Sequence, residues 1–161
     1  MKTIIIYFFI FVSIPICYGQ PISDYPFKTY LDSENNLYVT GSEEVGNSKD
    51  IFVTKIPNDD NELGWKKRIP NPAGDDRGID IVADKSGFVF VTGYTFNSLT
   101  NSKDIIVFSL NSAGNIFWSD TYVNHGEDKG QAIDMTVDTD GNAVDIFVSG
   151  YITNVVTGKD F

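Results

Sequence analysis

The chain has 161 residues, with 22 acidic against 12 basic side chains, a formal net charge of −10 and 14% aromatic content. So acidic a chain argues against nucleic acid and anionic membrane as partners, since both select for Lys and Arg. Its single cysteine, Cys17, cannot form an internal disulfide, so any folded domain here rests on core burial.

The first element is a targeting segment. Lys2 precedes an almost unbroken apolar run from Ile4 to Cys17, and Cys17 and Gly19 supply the small residues of a cleavage site. The run is about fourteen residues, shorter than the roughly 20 of a membrane-spanning helix. Residues 1–19 therefore read as a signal peptide, with an uncleaved anchor as the alternative. Ile16 stands where a lipobox needs Gly, Ala or Ser, which disfavours lipid attachment at Cys17. Processing after Gly19 leaves Gln20 at the start of a cysteine-free chain, secreted or held at the cell surface and not integral to a membrane.

The rest of the chain repeats itself. Asp32 to Gly41, Asp84 to Gly93 and, more loosely, Asp138 to Gly150 share a turn followed by an apolar strand ending in Val-Thr-Gly or Val-Ser-Gly. Lys49-Asp50, Lys103-Asp104 and Lys159-Asp160 recur in step, as do Trp65 and Trp118, and Ile79-Asp80 and Ile133-Asp134. A period of about fifty residues signals stacked units, none able to bury its apolar faces alone. In chain order the first unit predicts strands over 27–31, 37–40, 51–56 and 63–69. The second predicts 78–83, 88–92, 104–110 and 115–122, separated by Gly-, Asn- and Asp-rich turns. Residues 88–92 are apolar on both faces, as befits a strand held between two sheets. The third unit inserts about three residues, Ala143 to Asp145, between turn and strand.

Four short strands per unit point to an all-β partial β-propeller of four-stranded antiparallel blades. The expected spans are residues 20–161 for the repeats, with blade 1 about 26–70, blade 2 about 77–122 and blade 3 about 130–161. Propellers close with about 4–8 blades. About two and a half blades are expected to be part of a larger ring, with the third interrupted in a strand that opens at Phe161. A ring assembled from several short chains is the alternative.

Val91-Thr-Gly-Tyr-Thr95 and Lys103-Asp-Ile-Ile-Val107, with the aromatic-Trp pair at Phe117 and Trp118, resemble the SBBP-type β-propeller repeat of bacterial secreted and surface proteins. The resemblance runs from about Phe27 to the end of the chain. It implies the propeller fold and no common activity, cofactor or site.

Candidate sites are few. Asp138, Asp140 and Asn142 offer oxygens at alternate positions, the spacing by which a tight loop wraps calcium. A plain turn is the competing reading, because Asp and Asn favour turns for their own reasons, the equivalents Asp32-Ser-Glu34 and Asp84-Lys-Ser86 do not keep the carboxylate pair, and Lys85 would repel a cation. Asp80 and Asp134 are expected at equivalent places on the first strand of their blades, lining the channel or satisfied by hydrogen bonds. Lys28 takes that place in the first unit, where it could pair with the aspartate of a neighbouring blade. Asp50, Asp104 and Asp160 recur in every unit, which suggests a scaffold task such as capping N–H groups where the third strand starts. Trp65 and Trp118 are read as packing between outer strands.

His125 is the only histidine and stands near Glu127. No second histidine, cysteine cluster or nucleophile motif accompanies it, so no catalytic residue is expected. Affinity is expected in the loops Glu43–Ser48, Asn97–Asn101 and Asn124–Lys129. The sequence thus reads as an exported non-catalytic module for extracellular interaction or structural display. Its expected partners are an extracellular protein or glycan and the rest of its own propeller in a longer chain. No cofactor is expected beyond the calcium candidate. The alternative is the N-terminal part of a secreted propeller hydrolase or lyase acting on polysaccharide.

Overall fold

A computed structural model describes residues 23–123 and 126–153. The expectations for residues 1–22, for His125 and for Lys159, Asp160 and Phe161 lie outside the described residues.

Hairpin turns place each strand antiparallel to the one before it. Strands β1 (Asp24–Leu31), β2 (Leu37–Val45), β3 (Ser48–Ile56) and β4 (Trp65–Ile69) form one four-stranded sheet in chain order. Strands β5 (Arg77–Ala83), β6 (Val89–Asn97), β7 (Ser102–Leu110) and β8 (Ile116–Tyr122) form a second of the same order. Strands β9 (Lys129–Val137) and β10 (Ala143–Tyr151) form a two-stranded third sheet. The protein is all-β in its described residues, and none of these sheets closes into a ring.

The hairpins extend further than apolar residues alone suggested. Pairing continues through Ser42, Glu43 and Glu44 to Val45↔Ser48, and through Thr95 and Phe96 to Asn97↔Ser102. Backbone groups make these pairs, so polar side chains do not end them. The expected loop Glu43–Ser48 is therefore a tight turn, with Gly46 at φ 63°, and the loop Asn97–Asn101 turns through Asn101 at φ 53°. β4 begins at Trp65, two residues later than expected, and Leu63 before it is fully out in solvent.

The inner strands β5 and β6 of the second sheet are buried on both faces, which is why they are apolar on both. Ile81, Ala83, Val89, Val91, Ile106, Phe108 and Leu110 pack on Tyr38, Ile51 and Val53 of the first sheet. On the opposite face Val82 and Phe90 pack on Ile133 of the third. Each such side chain stabilises the fold by about 1.5–3 kcal/mol on full burial. The first strands β1, β5 and β9 of successive sheets lie beside one another.

The Thr-Gly pair within the second strand, Ser-Gly in the third sheet, has two steric jobs. Gly41, Gly93 and Gly150 each sit opposite a bulge in the first strand, where a Cβ would stand 2.1, 1.9 and 2.3 Å from the carbonyl oxygens of Tyr25, Arg77 and Lys129. No side chain fits there. Thr40 and Thr92 bond through Oγ1 to the carbonyls of Phe52 and Ile106, and each leans on a glycine of the next sheet. A Cβ on Gly78 or Gly130 would stand 2.1 Å from that threonine oxygen.

Register corrects one expectation. Asp80 lies opposite Thr92, two residues beyond Gly78, whereas Asp134 lies opposite Phe147, four beyond Gly130. The residue equivalent to Asp80 is Ala132, opposite Ser149. β9 has nine residues against seven in β5, so the Ile-Asp match between them is a chance alignment two positions out of register. The residues inserted at Ala143 to Asp145 likewise join β10, where they form a bulge rather than a longer turn.

Candidate functional site

Apart from Asp134, the conspicuous polar residues of the repeat sit in turns or at junctions between sheets. Asp32, Asp84 and Asp138 open the turns between first and second strands. Asp32 Oδ1 accepts the amides of Glu34 and Asn36, both at 2.9 Å, and Asp84 Oδ1 accepts that of Phe88 at 2.9 Å. Asp84 also reaches across, since its Oδ2 accepts the Ala143 amide of the third sheet at 3.1 Å.

Asp138 Oδ1 accepts the amides of Asp140 and Asn142, both at 2.9 Å, and its Oδ2 accepts Asn142 Nδ2 at 3.3 Å. The Asn142 amide, with its side chain and the Asp140 amide, holds the Asp138 carboxyl below its usual range. The Asn142 side-chain oxygen meets Ser86 Oγ of the second sheet. The three residues of the calcium candidate thus share one turn, tied by contacts of the kind that a turn makes. Among the described residues, no group of three or more His, Cys, Asp or Glu side chains is placed to hold a metal ion.

Lys28 and Asp80 do come together. Lys28 Nζ stands 3.3 Å from Asp80 Oδ1, and Asp80 Oδ2 accepts the Ile133 amide at 3.0 Å, so one buried carboxylate joins all three sheets. Asp134 is exposed and bonds only to the amide of its neighbour Met135 among the described residues.

The third-strand aspartates are buried. Asp50 Oδ1 accepts the Asn71 amide at 3.0 Å, which pins the segment leaving β4, and Arg68 Nε lies 3.6 Å from its Oδ2. It therefore secures the crossover to the next sheet rather than the start of β3. Asp104 Oδ2 accepts Asn97 Nδ2 at 2.7 Å, while its Oδ1 has no partner among the described residues. Asn124 occupies the position matching Asn71 and lies outside them. The paired lysines stand over aromatic rings, Lys49 at 4.7 Å from Tyr25 and Lys103 at 5.0 Å from Tyr94.

A second aspartate series was not singled out from the sequence. Asp76-Arg77-Gly78 returns as Asp128-Lys129-Gly130, a signal carried by the same repeat. The amides of Asp76 and Asp128 donate to the carbonyls of Lys49 and Lys103, both at 2.7 Å, linking each sheet to the one before it. Their carboxylates accept the amides of Phe96 at 2.7 Å and Thr153 at 2.8 Å, beyond the matching Tyr94 and Tyr151. Burial pushes the Asp76 carboxyl up to about 6, against the bonds from Phe96 and Asn71.

Two cavities follow the junctions. One of about 490 Å³ lies between the first two sheets and is lined by Asn71, Asp76, Asn97, Asp104 and Thr121. Asn71, Asp76 and Asn97 are engaged there in joining strands, while Asp104 Oδ1 has no partner among the described residues. The other, of about 440 Å³, lies between the second and third sheets beside Phe90 and Trp118. Glu127 is half exposed, with its Oε2 4.0 Å from Lys103 Nζ. No protein-family model matches the chain, and no curated protein matches it. Among the described residues no helix is long and apolar enough to cross a membrane.

Proposed function

We propose that this chain is an exported, non-catalytic β-propeller module of the SBBP-like type, serving extracellular interaction or structural display. One observation carries the reading. The recurrent carboxylates Asp50, Asp76, Asp84 and Asp128, and Asp80 in the second sheet alone, each accept a backbone amide from another strand, segment or sheet, and so act as scaffold groups. Stacked sheets with their first strands side by side suit the blades of a propeller. Binding to an extracellular protein or glycan then falls to the exposed turns and to the segment that carries Glu127.

The second reading, a polysaccharide hydrolase or lyase, has one observation in its favour. Glu127 offers a half-exposed carboxylate beside Lys103, two residues from the only histidine. A panel of polysaccharides assayed with the exported protein separates the two. No turnover is expected. Turnover that falls by about 100-fold or more in Glu127→Gln or His125→Ala, as for loss of an acid–base group, would replace the module reading by the enzyme. N-terminal sequencing of the secreted protein is expected to start at Gln20, and retention of Met1 would count against export with cleavage.

A further inference from the structure

Trp65 and Trp118 hold the same place in their sheets. Trp65 pairs with Lys55 in β4, and Trp118 with Ser109 in β8. Their surroundings differ. Trp65 Nε1 donates to the Ser112 carbonyl at 2.9 Å, and a Cβ added to Gly114 would stand 2.7 Å from its ring. Gly114, at φ 77°, closes the turn that begins at Asn111. The turn between β7 and β8 thus offers the indole one carbonyl and one face with no side chain.

Trp118 instead lines the cleft of about 440 Å³ between the second and third sheets, with Phe88, Phe90, Phe117 and Ile146. Phe117 meets Phe88 edge-on at 5.2 Å, and Trp118 lies 6.4 Å from Phe90. In the first two sheets the second strand pairs along its full length with a third, β2 with β3 and β6 with β7. Among the described residues no strand pairs with the outer edge of β10.

We propose that the Trp118 cleft and the outer edge of β10, unpaired among the described residues, form one acceptor site for a β-hairpin of the β7–β8 kind, closed by an Asn-x-x-Gly turn and carried by a unit of this same repeat. The edge of β10 supplies backbone donors and acceptors for a third strand, as in strand addition. Trp118 takes the carbonyl and the bare glycine face of the turn, as Trp65 takes those of Ser112 and Gly114. The aromatic wall of the cleft buries one side of the fourth strand. A side chain at the turn glycine closes the site to the indole, which makes that glycine the specificity element of the partner. The inference rests on reading the three sheets as successive units of one repeat, and not on export or on what the protein binds outside the cell.

The test uses a dye-labelled peptide of residues Ser102–Tyr122 of this chain, titrated into the full chain by fluorescence anisotropy. Hydrogen exchange is followed at the amides of Ala143–Tyr151. Saturable binding with new protection along β10 is expected. Affinity is expected to fall about tenfold or more when the peptide carries Gly114→Val or the protein Trp118→Ala, the loss of ring packing and a buried hydrogen bond. Trp118→Phe keeps an aromatic ring, though a smaller one, and removes the N–H, and its smaller loss serves if Trp118→Ala does not fold. Absence of binding, or equal binding of the Gly114→Val peptide, overturns the proposal. So does a dimer of the chain that protects β10 and resists the peptide, which would make a second copy the occupant. The polysaccharide assay is separate, so the two readings can fail independently.

Discussion

The junction between the first and second sheets and that between the second and third are built from the same contacts, carried to different lengths. At the inner strands they match: Thr40 leans on Gly78 and Thr92 on Gly130, each to the same distance, while Lys28 reaches Asp80 and Asp80 reaches the Ile133 amide. Toward the outer strands they diverge. Trp65 is seated on a turn of the next sheet, whereas Trp118 borders a cleft and its neighbours Phe117 and Val144 are largely exposed. Inner-strand contacts need only a sheet's first hairpin. Outer contacts need its third and fourth strands, so the third sheet, two-stranded among the described residues, docks there by half of the interface.

The widest separation between the junctions is expected from their glycines. Gly78→Val places atoms against Thr40 and Ile51 and is expected to cost about 3 kcal/mol or more in urea unfolding of the full chain. Gly130→Val is expected to cost less, because a two-stranded sheet can shift from its neighbour. Equal losses would mean that the two junctions are equally tight and would break the comparison.

Tryptophan truncation probes the outer halves. Both rings are half-buried, so Trp65→Ala is expected to cost about 2–3 kcal/mol, below the roughly 3–5 of a fully buried aromatic, and Trp118→Ala only about 1 kcal/mol because it borders an open cleft and not a turn of the next sheet. A larger loss at Trp118 would show that its cleft is already filled.

Asp80 serves both junctions, so Asp80→Ala is expected to cost about 2 kcal/mol by leaving the Ile133 amide unmet. The coupling between Lys28 and Asp80 in a double-mutant cycle is expected below about 1 kcal/mol, since the Lys28 side chain is half exposed.

The first junction also carries a pH dependence. Burial raises the folded pKa of Asp76 to about 6 from an ordinary 3.8. The folded state therefore holds this proton more tightly than the unfolded chain does. The contribution of Asp76 to stability is greatest below about pH 4 and declines as pH rises to about 6. Asp76→Asn keeps an acceptor for the Phe96 amide and is expected to flatten that part of the curve of melting temperature against pH. An unchanged slope in the variant would assign the dependence to other groups.

The smallest effect is expected at the turn of the third sheet. Asp138→Ser keeps a short acceptor and is expected to lower stability less than Asp84→Ser, because only Asp84 also bonds across to the next sheet. Millimolar calcium is expected to leave the melting temperature of the chain unchanged. A calcium-dependent rise abolished by Asp138→Ser would restore the cation reading.

Much of this architecture was legible because turns and strand ends are local. An Asp followed by Gly or Asn at the right offset makes the same turn at Asp32, Asp84 and Asp138, and the recurring Val-Thr-Gly or Val-Ser-Gly marks the apolar second strand, while the bulge and neighbouring sheet that press on it are set by pairing. The pairing of Lys28 with an aspartate of the next unit was likewise readable from its place in the repeat. Strand lengths were not, because backbone pairing carries Ser42 to Val45 and Phe96 to Asn97 along regardless of polarity. The Asp76 and Asp128 series stood in the sequence as Asp-Arg-Gly and Asp-Lys-Gly. Its meaning depended on the carbonyls of Lys49 and Lys103, which belong to the preceding sheet.

By itself the sequence determined the repeat, the turns and the all-β character, since each follows from local sterics and a two-residue period. Tertiary structure decided which aspartates are equivalent. Two extra residues in β9 are invisible to a motif match, yet in a strand every residue has a fixed partner, so Ala132 rather than Asp134 stands where Asp80 does. It also decided which tryptophan is seated and which borders a cleft. Two identical positions differ only in what the next sheet brings to meet them, and that meeting joins segments far apart in the chain.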